Sequence, residues 1–345
     1  MSEKMKALVF HDVGNVTLEN LDIPDCTDNG VLIKVARAGI CGSDIHAYTR
    51  GGMAGGVFIP DSQFGHEFVG EIVKVGKNVA GEFEVGQRVW GHPDYSHEDP
   101  RWSCMAGGFA EYVPVVNAIK DVSVFVLPDD VSYADAVLIE PFGVATHTKN
   151  RIGVTADDKV LMYGAGPIGL LAYAAMVTQG VQDIIIAEQM PTRIDFARSL
   201  GADVYDNSDG PDGLWEYVAE RFGTVTKNSY ERPGASAILD YVGLAVLAEE
   251  YVAHAMVGSR FGTVGMDPRP ASINMMEMMS KEYSIAGSRG YTPDDIKEVI
   301  AALQAKKVDV QRYVTAEFAL EDVAAAFEAA CDKNTGLKVV FVIDD

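Results

Sequence analysis

The chain has 345 residues, enough for about two domains of ordinary size. Its 28 basic and 50 acidic residues give a formal net charge of −22, which argues against a nucleic-acid partner and against docking on an anionic membrane. We interpret the acidity as a well-solvated surface.

The N-terminus is too charged and too briefly apolar for a secretory signal. Residues 160–182 carry no charge, but glycine and proline interrupt them repeatedly, so they predict a strand, a turn and a helix instead of a membrane span. The four cysteines form no Cys-x-x-Cys pair, and a disulfide framework is not indicated. A cytoplasmic protein is the expectation.

The first 145 residues or so are typical of short strands. Runs 31–36, 68–75 and 87–90 are rich in β-formers and are bounded by Gly, Asn or Pro. This pattern predicts a β-rich, partly open barrel with functional side chains on its loops.

Three motifs in this β-rich part combine ligands suited to a metal. They are residues 41–46 (Cys-Gly-Ser-Asp-Ile-His), residues 65–67 (Gly-His-Glu) and residues 140–141 (Glu-Pro). One thiolate, one imidazole and one or two carboxylates can hold zinc and leave a coordination position open, as catalytic sites do. Cys41 lies in a polar loop, where a buried structural cysteine is less expected.

Two carboxylates compete for the role of third ligand. Adjacent side chains on a regular strand point to opposite faces, so His66 and Glu67 can share a metal only if the chain bends there. Gly65 makes such a bend plausible. The residues themselves leave the choice between Glu67 and Glu140 open.

From residue 159 onward, apolar strands alternate with helical stretches, which indicates βαβ units and a doubly wound parallel sheet. Strands are predicted at 160–163, 183–187, 237–239 and 261–264, and helices at 169–179, 191–200 and 245–255. Further helices at 293–305 and 320–330 precede a closing strand at 336–343. The methionines of 275–279 are interpreted as packing filler.

The motif Gly164-Ala-Gly166-Pro167-Ile168-Gly169 joins the first predicted strand of this part to its first helix. In a dinucleotide-binding turn the first glycine permits the tight turn, the second lets the backbone approach the pyrophosphate, and the third allows close packing of helix on strand. The helix N-terminus offers free N–H groups to the anion.

Cofactor choice depends on two residues after the second strand. Glu188 lies 19 residues beyond Gly169, close to the offset at which a carboxylate accepts hydrogen bonds from the adenosine ribose. This carboxylate would repel a 2′-phosphate and favours NAD over NADP. Arg193 is a complication, because a nearby arginine can accommodate that phosphate.

Together these motifs resemble the zinc-containing medium-chain dehydrogenases and reductases over essentially the whole chain. The pairing of Gly-His-Glu with Glu-Pro resembles the polyol (sorbitol-type) and threonine or butanediol dehydrogenase branch; alcohol dehydrogenases usually carry a cysteine where Glu140 stands. The resemblance implies an α/β protein. A Rossmann domain with a doubly wound parallel sheet (146–288) accompanies a β-rich, GroES-like, partly open barrel (1–145 and 289–345) that carries catalysis.

The resemblance also implies roles for individual residues. Cys41, His66 and a glutamate hold one catalytic zinc, and Ser43 and His46 carry the proton away by way of the cofactor ribose. In the polyol branch the glutamate next to the histidine is the usual ligand, so Glu67 is placed first and Glu140 second, with exchange between the two during turnover. Residues Val144, Val264, Gly265 and Ser288 lie near the nicotinamide, and Arg289 lies towards the substrate. Tyr48, Phe58 and Trp90 are candidates for the substrate pocket. A homo-oligomer is also implied.

One departure from the family concerns a second, structural zinc, which many relatives bind through four closely spaced cysteines. Residues 91–104 hold only Cys104, with His92 and His97, so one zinc per chain is the expectation. The predicted activity is hydride transfer between a secondary alcohol, of the polyol class, and NAD. The alternatives are a threonine or butanediol dehydrogenase, a zinc-free quinone or enone reductase, and a dinucleotide sensor without catalysis.

Overall fold

The computed structural model describes residues 3–52, 58–210, 213–266, 268–332, 334 and 337–344. The chain divides into two compact units, the first made of Met1–Pro141 and Ile296–Asp345 and the second of Phe142–Asp295. The sequence placed these boundaries after residue 145 and before residue 289. Each observed boundary falls within a helix.

The first unit opens with eight strands and two short helices. The strands are β1 (Lys4–Asp12), β2 (Asn15–Asp22), β3 (Val31–Gly39), β4 (Ser62–Gln63), β5 (Glu67–Val75), β6 (Arg88–Gly91), β7 (Tyr112–Val115) and β8 (Val124–Val126). The helices are α1 (Gly42–Arg50) and α2 (Tyr133–Ala136), and α3 (Ile139–Arg151) leads into the second unit. Single 3-10 turns lie at Pro93–Tyr95 and Pro100–Met105.

The second unit contains eight further strands. They are β9 (Lys159–Tyr163), β10 (Asp183–Glu188), β11 (Asp203–Asp206), β12 (Thr224–Lys227), β13 (Tyr230–Pro233), β14 (Ala237–Asp240), β15 (Arg260–Thr263) and β16 (Ser284–Gly287). Its helices are α4 (Pro167–Gln179), α5 (Pro191–Ser199), α6 (Leu214–Phe222), α7 (Ala245–His254) and α8 (Met275–Ser280). After α9 (Pro293–Ala305), the chain completes the first unit with β17 (Val314–Phe318), α10 (Val323–Cys331) and β18 (Lys338–Val342).

The main sheet of the first unit has seven strands and is mostly antiparallel. Its order is β17-β18-β3-β5-β6-β8, and β7 also pairs with β3. Both faces of β3 are buried, in keeping with its nearly continuous apolar sequence. Side chains from this sheet and from α10 form one core around Phe64, Phe109 and Phe327. The smaller sheet β2-β1-β4 holds the N-terminal hairpin.

The second unit is built on a six-stranded parallel sheet of order β11-β10-β9-β14-β15-β16. This is the doubly wound order in which the strand sequence reverses beside the first strand, here between β9 and β14. The uncharged stretch 160–182 resolves into β9, a turn and α4, as predicted. Among the described residues, no helix is long and apolar enough to cross a membrane.

Two features of the second unit differ from the sequence interpretation. The hairpin β12–β13 was not predicted, because its strands are short and their side chains lack apolar alternation. The methionines were expected to fill packing gaps, but Met275, Met276 and Met279 are about 70% exposed, at 72%, 68% and 71%. The period of α8 turns only Met278 towards the core.

Candidate functional site

Cys41 is held at the start of α1 by hydrogen bonds on both sides of its backbone. It follows the end of β3, and its carbonyl accepts the amide N–H groups of Asp44 and Ile45 at 3.1 Å each. Its own N–H donates to Asp44 Oδ2 at 2.9 Å. The short helix therefore presents the Cys41 thiol from a fixed backbone position.

Gly65 supplies the bend that His66 and Glu67 need. Its φ of +88° lies in the left-handed region, and a Cβ there would meet the Phe109 ring at 2.7 Å. Glu67 begins β5 directly opposite Gly39 of β3. Through this turn, ligand atoms of Cys41, His66 and Glu67 all come within 4.8 Å of one another.

The charges around these three residues suit a divalent cation. Asp44 is fully buried, and its Oδ1 lies 3.6 Å from His66 Nδ1. Burial raises the pKa of Asp44 to about 6. Burial also lowers the pKa of His66, but Asp44 and Cys41 outweigh it and hold that pKa well above its usual value. An anionic field strong enough to draw a proton onto a buried imidazole also favours a metal ion.

Glu140 lies in the first turn of α3 and is 8% exposed. It is not among the three residues whose ligand atoms converge within 4.8 Å, yet its charge contributes to raising the pKa of His66. Glu140 is thus within electrostatic reach of the cluster and outside its inner set.

Ser43 and His46 lie on α1, one helical turn apart. The Ser43 hydroxyl is buried and has no hydrogen-bond partner in the described part of the chain. It lies two residues from Cys41 and can both accept and donate a proton. The structure therefore leaves this hydroxyl available to a bound molecule.

Sequence reasoning missed two charged residues of the site, Asp44 and Lys338. Lys338 begins β18, is 4% exposed and forms an ion pair with Glu67 Oε2. Burial lowers its pKa, but attraction to Glu67 and Cys41 outweighs this and raises it overall. The available signal was a lysine in the apolar run 337–342, where a charge needs a buried partner.

The two histidines of residues 91–104, His92 and His97, contact residues close to them in the sequence. His97 Nε2 lies 2.7 Å from the Met105 carbonyl oxygen, and His92 Nδ1 accepts the Asp94 N–H at 3.2 Å. Cys104 is partly buried, which raises its pKa. Among the described residues, the cluster of three potential metal ligands is Cys41, His66 and Glu67.

Of the three residues suggested for the substrate pocket, Trp90 is misplaced. Its ring is fully buried against Phe125, with centroids 5.6 Å apart. Both faces of β6 are buried here, since Val89 and Trp90 are each fully buried, and this depends on the pairing of β6 with β5 and β8. Tyr48 and Phe58 are only partly buried; Tyr48 packs on Phe327 with ring centroids 4.7 Å apart.

The glycine motif of the second unit lies at the carboxyl end of β9, beside the reversal of strand order. Gly164 has a φ of +96°, and a Cβ at Gly169 would lie 2.1 Å from the Gly164 carbonyl oxygen. Gly166 caps α4, Pro167 occupies its first turn, and Ile168 follows. These positions match the roles of the three glycines in a dinucleotide turn.

Glu188 has a role that sequence reasoning did not foresee. Its Oε2 accepts the Ala165 N–H at 2.7 Å, and Oε1 accepts the N–H groups of Gln189 and Met190 at 2.7 and 3.0 Å. The carboxylate therefore pins the glycine turn to the end of β10. A carboxylate offers about four acceptor sites, so capacity remains for a ribose hydroxyl.

Arg193 lies beside this turn. Its Nη1 is 3.5 Å from the position that a Cβ on Gly166 would take. Its Nε is buried and has no hydrogen-bond partner within the described ranges. An unsatisfied guanidinium donor next to a helix N-terminus fits a phosphate or ribose oxygen.

The four residues that were expected near the nicotinamide lie around the same edge of the sheet. Val264 follows β15, and its N–H donates to the Asp240 carbonyl at 3.2 Å. Gly265 packs against Gly243 so closely that no Cβ would fit. Ser288 follows β16, and its hydroxyl oxygen lies 3.1 Å from that of Thr148, which donates to the Val144 carbonyl at 2.9 Å. Arg289 comes next and is exposed.

Comparison with known proteins shows the family of this chain. Residues 27–128 match the alcohol dehydrogenase GroES-like domain, and residues 167–305 match the zinc-binding dehydrogenase domain. Sorbitol dehydrogenase of Bacillus subtilis is 30% identical over 98% of this chain and 97% of its own. The chain belongs to the zinc-binding medium-chain dehydrogenases.

Solved structures extend this result to the fold. The crystal structure of 2R,3R-butanediol dehydrogenase from Bacillus subtilis superposes with a TM-score of 0.85 at 29% identity, covering 98% of this chain and 99% of that one. A second structure is described as a short chain alcohol dehydrogenase from Escherichia coli CFT073 complexed with cofactor NADH. It superposes with a TM-score of 0.84 at 27% identity and covers 99% of this chain and 100% of that one. The chain is thus a zinc-binding dehydrogenase with a GroES-like and a Rossmann domain.

Replacing Gly65 should uncouple the zinc ligands. Gly65→Ala places a side chain at positive φ, at a cost of about 1–3 kcal/mol, and drives it into Phe109. We expect a lower melting temperature and a clear loss of zinc affinity. Gly86→Ala is the matched control, since Gly86 has a φ of +92° with nothing within 4 Å. Equal zinc affinity in both variants, measured by chelator competition, would contradict the role of the bend.

Replacing Glu188 should weaken NAD more than NADP. Glu188→Ser removes three backbone hydrogen bonds and the charge that opposes a 2′-phosphate. We expect the dissociation constant for NAD to rise about tenfold or more, since charged hydrogen bonds are worth about 1.5–3 kcal/mol. Fluorescence titration with both cofactors measures it, and Asp183→Ser at the exposed start of β10 is the control. An unmutated enzyme that prefers NADP would refute the assignment.

Proposed function

We propose that this protein oxidises a secondary hydroxyl group of a polyol or sugar alcohol, with NAD as the hydride acceptor. The observation that carries the proposal is the convergence of Cys41, His66 and Glu67 within 4.8 Å in one unit, in a chain whose other unit has a dinucleotide turn. The similarity to sorbitol dehydrogenase supports a polyol, and that to butanediol dehydrogenase keeps a vicinal diol as the second candidate.

Cys41, His66 and Glu67 would hold the zinc. The donor set of one thiolate, one imidazole and one carboxylate suits zinc and leaves a position open for substrate. When bound, zinc supplies Lewis acidity to the substrate oxygen, and the nicotinamide supplies the hydride acceptor. Asp44 would orient the His66 ring, from 3.6 Å, and Glu140 would act at the open position and exchange with Glu67.

Ser43 and His46 would remove the proton. The Ser43 hydroxyl is buried and unengaged in the described part of the chain, so it can accept a hydrogen bond from the substrate. His46 lies three residues further along α1 and is partly exposed, where its imidazole can exchange protons with solvent. Without these two residues, a proton released in the buried site would have no route to solvent.

NAD is the proposed cofactor because Glu188 is buried, charged and adjacent to the glycine turn. Arg193 would contact a phosphate or ribose oxygen through its unsatisfied Nε. Val144, Val264, Gly265 and Ser288 would line the nicotinamide end, with Arg289 towards the substrate.

We also propose that the protein forms a homo-oligomer and that it is located in the cytoplasm. In the described residues, β16 ends the parallel sheet and pairs with β15 alone, and α8 before it exposes three methionines. An open strand edge beside exposed apolar side chains fits association with a second copy. Light scattering of the purified protein measures the oligomeric state directly.

A substrate screen tests the activity. Polyols, vicinal diols and β-hydroxy amino acids are offered with NAD and with NADP to the zinc-loaded protein, and reduced cofactor is followed by absorbance. The proposal predicts the highest kcat/KM for a polyol with NAD. A preference for a vicinal diol would select the second candidate, and turnover of a β-hydroxy amino acid alone would overturn both.

A further inference from the structure

Lys338 is a buried cation that contacts the metal cluster from a third strand. It begins β18, which pairs with β3, and β3 pairs with β5, where Glu67 lies. Its Nζ forms the ion pair with Glu67 Oε2 and donates to the Ile40 carbonyl at 3.0 Å. Ile40 directly precedes Cys41, so one ammonium group binds next to two proposed zinc ligands.

The ion pair of Lys338 and Glu67 packs tightly against the backbone of β3. A Cβ added to Gly39 would lie 2.3 Å from Glu67 Oε2 and 3.0 Å from Lys338 Cε. Glu67 is 0% exposed, and its Oε1 has no hydrogen-bond partner in the described ranges. Lys338 therefore occupies one oxygen of the carboxylate and leaves the other available.

We propose that Lys338 is a positioning residue that orients Glu67 for zinc and at the same time weakens the hold of Glu67 on the metal. The inference rests on the proposed role of Glu67 as a ligand. Two cations that share one buried carboxylate repel each other, and this repulsion stays large because water does not screen it. The lysine thus keeps Glu67 displaceable, which an exchange with Glu140 requires.

This role predicts opposite effects on the metal-free and metal-loaded protein. Without zinc, Lys338→Met leaves a buried carboxylate unpaired, and the protein loses stability. With zinc, the same change removes a competing cation, and the metal binds more tightly. A lysine with a merely structural role would lower stability and zinc affinity together.

The experiment uses the full-length protein. Thermal unfolding in excess chelator should show the melting temperature of Lys338→Met lowered by about 10 °C. Competition against a chromophoric chelator should show its zinc affinity raised about tenfold or more, as for close buried charge pairs. Lys338→Arg keeps the charge and should stay near the wild-type values. Unchanged or weakened zinc binding in Lys338→Met would overturn the inference.

Lys281→Met is the matched control. Lys281 is 2% exposed and pairs with Glu277 at 2.5 Å in the second unit, so its loss should lower stability and leave zinc affinity unchanged. If Lys338→Met does not fold without metal, zinc-loaded Lys338→Gln gives the same comparison through the rate of zinc loss to chelator. That rate should fall, and an equal or faster rate would overturn the inference.

These measurements do not depend on turnover. Tighter zinc in Lys338→Met with no polyol oxidation by the wild type would support the inference and refute the proposed substrate. Polyol oxidation by the wild type with unchanged zinc affinity in Lys338→Met would refute the inference alone.

Discussion

Cys41→Ser should yield a protein that binds NAD normally but holds little zinc and turns over at least about 1,000-fold more slowly. A serine hydroxyl does not ionise near neutral pH, so the metal loses its one thiolate ligand. The Lewis acidity lost with the metal is worth several kcal/mol, and each 1.4 kcal/mol is tenfold in rate. NAD binding should survive because the glycine turn lies in the other unit.

The control for this variant is Cys104→Ser. Cys104 is a partly buried cysteine of the same unit, outside the group whose ligand atoms converge. Zinc content by elemental analysis, NAD affinity by titration and kcat/KM should stay near wild type there. A fully active Cys41→Ser variant without zinc would end the metal assignment.

Variants at Glu67 and at Glu140 should differ from each other more in zinc content than in activity. Glu67→Gln removes one of three protein ligands and should lower zinc affinity about 100-fold or more. Glutamine keeps the shape of the side chain but removes the charge that pairs with Lys338. Glu140→Gln should retain its zinc and lose rate about 10- to 100-fold, because Glu140 lies outside the inner set.

Dialysis against zinc buffers, followed by elemental analysis, measures this difference, and kcat is measured on the zinc-loaded samples. If Glu140→Gln came out free of metal while Glu67→Gln kept it, the order of the two ligands would be reversed. Equal zinc loss in both would show that the two carboxylates hold the metal together.

The parts of the site that sequence reasoning located depend on local backbone geometry. Gly65 was expected to let the chain bend so that His66 and Glu67 can share a metal, and its positive φ of +88° provides a bend there. The turn at Gly164 and Gly169 follows in the same way, because only glycine fits the observed backbone approach. Short-range constraints of this kind are readable from a few neighbouring residues.

The parts that were missed depend on contacts between distant segments. Lys338 reaches Glu67 only through the pairing of β18 with β3 and of β3 with β5, and no local pattern gives that register. Trp90 was misplaced for the same reason, since the burial of both faces of β6 depends on its pairing with β5 and β8. The hydrogen bonds from Glu188 to the glycine turn require the pairing of β9 with β10.

Zinc K-edge X-ray absorption of the loaded enzyme, with zinc counted per chain, measures the ligands of the metal themselves. We expect one zinc per chain with a single sulfur neighbour at about 2.3 Å and nitrogen or oxygen neighbours at about 2.0–2.2 Å. If the Cys41→Ser variant retains some zinc, the spectrum of that zinc should show no sulfur neighbour. A spectrum with no sulfur, several sulfurs, or a second tightly held zinc would contradict the site built from Cys41, His66 and Glu67.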